Sequence, residues 1–563
     1  MSYPVQNYLN FNKSNTGGIL LNKQTIFING EIMTVNMNND ICQALAIRGN
    51  QIIATGSNKK VLELQDSKTE VVNLHGQTLL PGFIDSHLHI TMYGINRLSI
   101  HCKQDKLHSI SSLLEALKTK VAKTPKGEWI RAFGYNENHM TDKRLPTKQE
   151  LNTVSKDHPI IVGRVCGHTS VVNSKAFQLA GINKHTPDPM GGKYEKNEAG
   201  ELNGTLIENA HMNMFAKAAF SESELSEAHK IASREFAAKG ITSIHDATGY
   251  GLDNLRKLQQ DARSGTIQQR VYAMVGALNN AQDVVKHMVL SGVSTGVGDT
   301  KFRVGPVKLF LDGSSSGPAA WTRDPYTSDH NNYGIHYFSQ EEVDELFIPA
   351  HEKGWQITAH AQGDAAIDML LTTIETANRL YPRAHSRHRI EHAGIATPDL
   401  VKRMKQQHVV PTPNPAFHFE YGDGYVKDYG ERSSYMYPLN DYLKAGIPAA
   451  IASDCPVTDV DPFRGLYGAI TRVSDSGQII GEDQQIPLLA AVRMYTYNGA
   501  YASFEEKIKG SIEPGKLADL VLMNCSLLNG HANDLLEAKV EWTMIDGKIV
   551  YQNKGEAIHV PES

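Results

Sequence analysis

Residues 78–90 read TLLPGFIDSHLHI, an apolar run that ends in two histidines one residue apart. Alternate residues of a β-strand share a face, so His87 and His89 point to one side and both imidazoles reach one metal ion. An HxH pair alone is weak evidence in a chain with 24 histidines. Its weight comes from repetition. WQITAH ends at His360, RHRIEH at His392 and IPAAIASD at Asp454, each passing directly into a polar or glycine-containing segment. In a parallel barrel the active site lies at the strand C-termini, where these side chains emerge.

Outward from that stretch, short β-like runs alternate with helical ones, the pattern of a parallel α/β fold. Eight runs qualify as barrel strands: TLLPGFIDSHLH, GITSIHD, RVYAMVGAL, VGPVKLFLDG, GWQITAH, RHRIEHA, HVVPTP and GIPAAIASD. About 150 residues separate the first from the second, far more than a loop needs. They carry their own apolar runs, EWIRAFGY and HPIIVGRVCGH, and read as an inserted lid or subdomain. Both ends of the chain are β-rich. TIFINGEIMTV, ALAIRGNQIIATG, ADLVLMN and VEWTMIDGKIVYQ are broken at Asn29-Gly30, Gly49-Asn50 and Asp546-Gly547, which are hairpin signals. The expected plan is a flexible leader over 1–18 and a β domain from 19–80 and 505–558. A (β/α)8 barrel is expected over 81–100 and 222–504, with an insertion over 101–221.

Composition bounds the partners. A net charge of −5 calls for neither nucleic acid nor an anionic membrane. Cys42, Cys102, Cys166, Cys455 and Cys525 are scattered and never spaced as CxxC, which points away from a disulfide framework or a thiolate zinc site. The polar start MSYPVQNYLNFNKSNTGG lacks the apolar run of a signal peptide, and no stretch has the length of a membrane span. The expected location is cytoplasmic. The expected partners are a small-molecule substrate and, as a compatible assembly, a second copy in a homodimer.

Lys308, in VGPVKLFLDG, is an unusual residue for a buried strand. One reading has it pair with Asp312 or reach solvent. The other has it carbamylated by CO2, which converts the amine into a carboxylate-like bridge between two metals. His168, at the end of HPIIVGRVCGH, either binds substrate or is structural. His245 and Asp246 form a candidate hydrogen-bonded pair at the barrel mouth. Tyr135, Trp321 and the loop Asp312–Gly317 are candidate pocket walls. The aromatic stretch FHFEYGDGYVKDYGERSSYMYPL is either a substrate-covering loop or a packing element.

A set of motifs runs from about residue 24 to residue 552. They are LPGFIDSHLH, GEWIRAFGYNE, GHTSVVNSKA, GITSIHDA, VKLFLDGSSSG, TAHAQGDAAID, RIEHA, ASDCPV, DPFRGLYGAITR and GSIEPGKLADLVL. In this combination the chain resembles the amidohydrolase superfamily, in particular its amidohydrolase-3 group, which includes N-substituted formamide deformylases. The resemblance implies a TIM barrel of the metal-dependent hydrolase type with a β-sandwich made from both termini. It also implies a one- or two-metal centre. His87, His89 and Asp454 would hold the more buried ion, and His360 and His392 the second. Lys308 stands where binuclear members carry the carbamylated bridge. Two zinc ions are expected, with iron, manganese or cobalt as alternatives.

The expected reaction is hydrolysis of an amide-type C–N bond, N-formyl or N-acyl, by a metal-activated hydroxide, with Asp454 moving the proton. A metal-dependent deaminase and a non-catalytic scaffold of the same fold are the alternatives.

Overall fold

The computed structural model describes residues 23–102, 107–165, 168–278, 280–528 and 530–553. The expected leader, the outer ends of both β segments and Cys166 lie outside the described residues. The chain divides into two compact units, one comprising 1–90 and 233–563, the other Thr91–Ala232.

In the larger unit, seven strands form one parallel sheet: β1 (Phe83–Leu88), β2 (Ile241–Asp246), β3 (Arg270–Val275), β4 (Phe302–Phe310), β5 (Ile357–Ala361), β6 (Arg389–His392) and β7 (Val410–Thr412). Each pairs in parallel with its neighbour in chain order. Every residue of β1, β2 and β3 is buried, as expected where helices cover the outside of a parallel sheet and side chains fill the inside.

The eighth expected strand is not regular, yet it closes the ring. The amides of Ala450 and Ala452 donate to the carbonyls of Pro411 and Pro413 at 3.0 and 3.1 Å. On its other side Ser86 donates to Ile451 at 3.3 Å, and Asp454 donates to His87 at 2.8 Å. The connecting helices start where the sequence caps them: Ser339 and Glu342 form a capping box ahead of Gln340–Glu352.

The two chain ends build a pair of sheets in the same unit. One contains, in order, Gln51–Gly56, Ala44–Arg48, Gln24–Ile28 and Glu70–Asn73. The other runs Lys548–Gln552, Val540–Ile545, Leu520–Met523, Thr78–Pro81, Glu31–Met33 and Ile41–Cys42. Phe27, Ile32, Leu45, Leu79, Leu520 and Trp542 pack between them.

Gly49-Asn50 and Asp546-Gly547 are hairpin turns, with Arg48 opposite Gln51 and Ile545 opposite Lys548. Asn29-Gly30 is not. The strands on either side of it belong to different sheets, so the pair is a corner. Gly30 is there for space, since a Cβ would lie 2.6 Å from Leu74 Cδ1.

The smaller unit is a six-stranded mixed sheet in the order Gly192–Lys196, Leu202–Glu208, Thr169–Val172, Ile160–Arg164, Ile130–Tyr135 and Ile100–His101. Strand alternation sends Ile160 and Val162 to a core with Ile110, Leu113 and Leu151, and Ile161 to a second core with Phe177, Leu206 and Met214. This unit extends past the expected 101–221 because the helices at its two ends pack closely. A Cβ on Gly94 would lie 2.3 Å from the Ala228 carbonyl oxygen, and Thr91 Oγ1 meets His229 Nε2 at 2.9 Å. Among the described residues no helix is long and apolar enough to cross a membrane.

Candidate metal centre

β1 delivers His87, and His89 stands just past its end, directly before the helix Ile90–Leu98. The barrel-closing segment delivers Asp454. One ligand atom from each of these three residues lies within 4.8 Å of the others. Asp454 Oδ1 is 3.4 Å from His89 Nε2 and 3.5 Å from His87 Nε2. His392, at the end of β6, and His360, on β5, adjoin this group, with ring centroids 4.6 Å (His87–His392) and 4.5 Å (His360–His392) apart. Asp454 and His392 both take left-handed backbone conformations, φ 58° and 70°. Non-glycine residues adopt these only where the surroundings hold them. For Asp454 the hold is its amide's bond to the His87 carbonyl.

The far side of each ring settles which nitrogen carries the proton. His89 Nδ1 faces the Thr248 carbonyl at 2.7 Å, so that nitrogen is the donor and Nε2 keeps its lone pair. His392 Nδ1 faces Asn414 Oδ1 at 2.7 Å, and Asn414 is oriented by its own bond to the Ala452 carbonyl. His87 Nδ1 faces Glu391 Oε2 at 2.5 Å. His360 differs: its Nε2 is turned toward the Gly313 carbonyl at 3.2 Å and Asp312 Oδ1 at 3.4 Å. Among the described residues, His87, His89 and Asp454 are the one group drawn together tightly enough to share an ion.

Protonation states suit ligation. Burial, then the charge of Lys308, holds His87 well below the ordinary histidine range. Burial and His360 do the same for His392, and burial and Lys308 bring His360 down to about 4. Burial would raise Asp454, but its contacts with His89, His392 and Lys308 outweigh it and hold the carboxyl below its usual value. Near neutral pH His87, His360 and His392 are therefore neutral imidazoles and Asp454 an ionised carboxylate. Such a nitrogen and oxygen donor set suits zinc or a related divalent ion.

Lys308 is fully buried on β4, its Nζ 3.3 Å from His87 Nε2 and 4.6 Å from the centre of the Phe310 ring. Burial pushes it down to about 8. It does not pair with Asp312. That carboxylate is spent on backbone: it accepts from Gln362 at 3.0 Å, Gly363 at 2.7 Å and Trp321 at 3.0 Å. Burial, opposed by those amides, raises it to about 7. Asp312 thus organises the loop beyond His360.

A cleft of 630 Å³ opens beside His360, lined by Leu278, Phe310, Tyr337 and Phe338 together with Asp312 and Gly313. Trp321 is not among its walls; its ring packs on His336 at 4.7 Å. Tyr135 belongs to the small unit's core, fully buried with its hydroxyl donating to the Arg144 carbonyl at 2.7 Å. His168, in the same unit, is exposed and meets Glu208 at 3.1 Å. His245 faces Arg389 at 2.9 Å, while Asp246 accepts from the Ile90 and Thr248 amides, each at 3.1 Å. The aromatic stretch is largely packing: Phe417, Tyr425, Tyr429 and Tyr437 are buried together with Tyr326.

Sequence reading passed over Glu391, Arg389, Thr248, Asn414 and Asp85. Asp85 accepts from the Ser453 amide at 3.1 Å and so ties β1 to the closing segment. The available signal was RHRIEH itself, where charged residues alternate along a strand that ought to be apolar.

The profile of the amidohydrolase family matches residues 70–551. The chain is 27% identical to the N-substituted formamide deformylase of Arthrobacter pascens, over 95% of this chain and 99% of that protein. It is 30% identical to the Bacillus subtilis (strain 168) protein YtcJ, whose name places it among amidohydrolases, over 94% and 99% of the two chains. Among solved structures it is similar to a metal-dependent hydrolase of Pyrococcus horikoshii OT3, described as uncharacterized. The TM-score is 0.74 and the identity 26%, over 91% of this chain and 99% of that one.

Proposed function

The chain belongs to the amidohydrolase family, and from that premise we propose that it hydrolyses an amide-type C–N bond of a small molecule, N-formyl or N-acyl, at a divalent-metal centre. The observation that carries this reading is the donor set itself. Two imidazoles with Nε2 lone pairs and one ionised carboxylate share one point at the C-terminal end of the barrel strands. When bound there, the ion supplies a water acidified toward neutral pH and a Lewis acid for the scissile carbonyl.

The remaining work falls to the chain. Asp454, ionised, accepts the proton of the attacking water on a carboxylate oxygen and returns it to the nitrogen of the departing amine. Burial of His87 and His392 keeps a second proton off each ring, leaving Nε2 with its lone pair. The walls Leu278, Phe310 and Tyr337 give the organic part of the substrate an apolar seat beside His360.

The finer part of the proposal concerns Lys308. Its buried amine has no carboxylate within ion-pair distance among the described residues, and CO2 adds to such an amine when it is neutral. The nitrogen forms a bond to carbon, and one proton leaves to solvent. The resulting carbamate would carry the negative charge suited to a second divalent ion, for which His360 and His392 would be the other ligands. Supporting this are the position of Lys308 against His87 and its depressed basicity.

The test is metal content per chain, measured on protein purified without chelator in bicarbonate, together with turnover of N-substituted formamides and other small N-acyl compounds. Two ions per chain with chelator-sensitive release of amine are expected. One ion would retire the bridged centre and keep the hydrolase. No ion after reconstitution and no turnover would overturn the proposal.

A further inference from the structure

Three histidines of the centre are steered from behind, but not by equal partners. His89 and His392 lean on neutral oxygens, the Thr248 carbonyl and the Asn414 amide. His87 alone leans on a carboxylate, Glu391, at 2.5 Å. We propose that Glu391, clamped by Arg389, is the positioning residue that sets the affinity of the centre for its ion by acting through His87. This rests on the reading that His87 is a ligand.

Glu391 has no freedom to do anything else. Oε1 accepts from the Thr358 hydroxyl at 2.6 Å and from Arg389 Nε at 2.8 Å. Oε2 accepts from Arg389 Nη2 at 3.0 Å and the Thr412 hydroxyl at 3.0 Å, besides His87. Arg389 is pinned in turn, with Nη1 against His245 Nδ1 at 2.9 Å and Nη2 on the Ser86 carbonyl at 2.6 Å. That last bond grips β1 one residue before His87, so the pair fixes both the ring and the backbone that carries it. Glu391 and Arg389 are both completely buried. A buried ion pair of this kind is a poor source of stability, since apolar replacements of similar volume are often neutral or better. Its return here is chemical. An anionic acceptor on Nδ1–H fixes the tautomer and makes Nε2 a stronger donor toward a metal.

The experiment uses the full chain. Zinc affinity is measured by competition with a chromogenic chelator for the parent, for Glu391→Gln and for Arg389→Met/Glu391→Gln. The double variant removes both charges at once and so guards against a single variant that fails to fold. Affinity about 10- to 100-fold weaker in a folded variant is expected. A folded double variant that holds zinc as tightly as the parent overturns the proposal. A purely structural role would lower the melting temperature and leave affinity alone.

An independent readout needs no variant. In metal-free protein carrying ¹⁵N-histidine, His87 must show the Nδ1–H tautomer; the Nε2–H form there overturns the proposal. If the parent binds no zinc at all, the ligand reading of His87 has failed instead, and the two failures are told apart.

Discussion

Gly276→Ala adds one methyl group at a place where the barrel has no room for it. Gly276 follows β3, and a Cβ there would lie 2.6 Å from the Lys308 carbonyl oxygen and 3.2 Å from Thr248 Cγ2. A carbon–oxygen contact relaxes at about 3.3 Å, so β3 and β4 must part by roughly 0.7 Å. The push falls on the backbone of Lys308 and on Thr248, whose carbonyl steers His89. Overpacking of this size costs about 1–3 kcal/mol of stability. A misplacement approaching 1 Å in a catalytic group costs up to about 100-fold in rate. We therefore expect a folded protein with kcat/KM down roughly 10- to 100-fold and a melting temperature lower by a few degrees.

Gly424→Ala is the matched control. Gly424 is exposed inside the helix Ala416–Tyr429, nothing would lie within 4 Å of its Cβ, and alanine there should add up to about 1 kcal/mol. The assays are thermal melting, metal content and turnover of the best N-acyl substrate. Parental kcat/KM and metal content in Gly276→Ala would refute the claim that this contact sets the site.

Asp454→Asn removes the one carboxylate of the tight donor group, so kcat/KM should fall about 1,000-fold or more with circular dichroism unchanged; activity within tenfold of the parent would count against the assigned base. Lys308→Ala should lose one equivalent of metal and regain part of its activity with added acetate, and full metal loading in that variant would remove Lys308 as the bridge. His351 and His388 form a buried chain, with His388 Nε2 against His351 Nδ1 at 2.8 Å and His351 Nε2 on the Tyr381 carbonyl at 2.7 Å. Burial, then His351 and Arg383, holds His388 well below its ordinary value, and burial with Arg383 lowers His351. The unfolded chain thus takes up protons first, and their share of stability, complete above about pH 6.5, is lost as pH falls below it. Melting curves between pH 7.5 and 5 should show a shallower loss in His388→Asn than in the parent; parallel curves would contradict this.

Much of the barrel was legible because its strands are apolar runs that stop at a residue type able to bind metals, and that combination survives without knowledge of the fold. His87, His89, His360, His392 and Asp454 were visible in that way. The residues behind them were not. Glu391 and Arg389 act at a distance of one partner, and nothing local tells a carboxylate that orients an imidazole from one that faces solvent. Asp312, which does line the cleft beside His360, shows the same limit: its bonds to three backbone amides are not visible in the sequence. Asn29-Gly30 misled because a corner between two sheets and a tight hairpin ask for the same backbone freedom. Tyr135 and Trp321 show that aromatic residues near a motif serve packing as readily as binding.

A ring of strands has one seam, and in this barrel the donor group straddles it. His87 stands on the first strand, Asp454 on the segment that shuts against it. A chain still emerging during synthesis, with seven strands in place, carries the imidazoles of the centre but not yet Asp454, the carboxylate that completes the tight donor group. On the proposed reading, metal capture would wait until the last stave is seated, and the ion would act as a clasp across the join. Loading would then report completion, and a truncated or open barrel would stay empty.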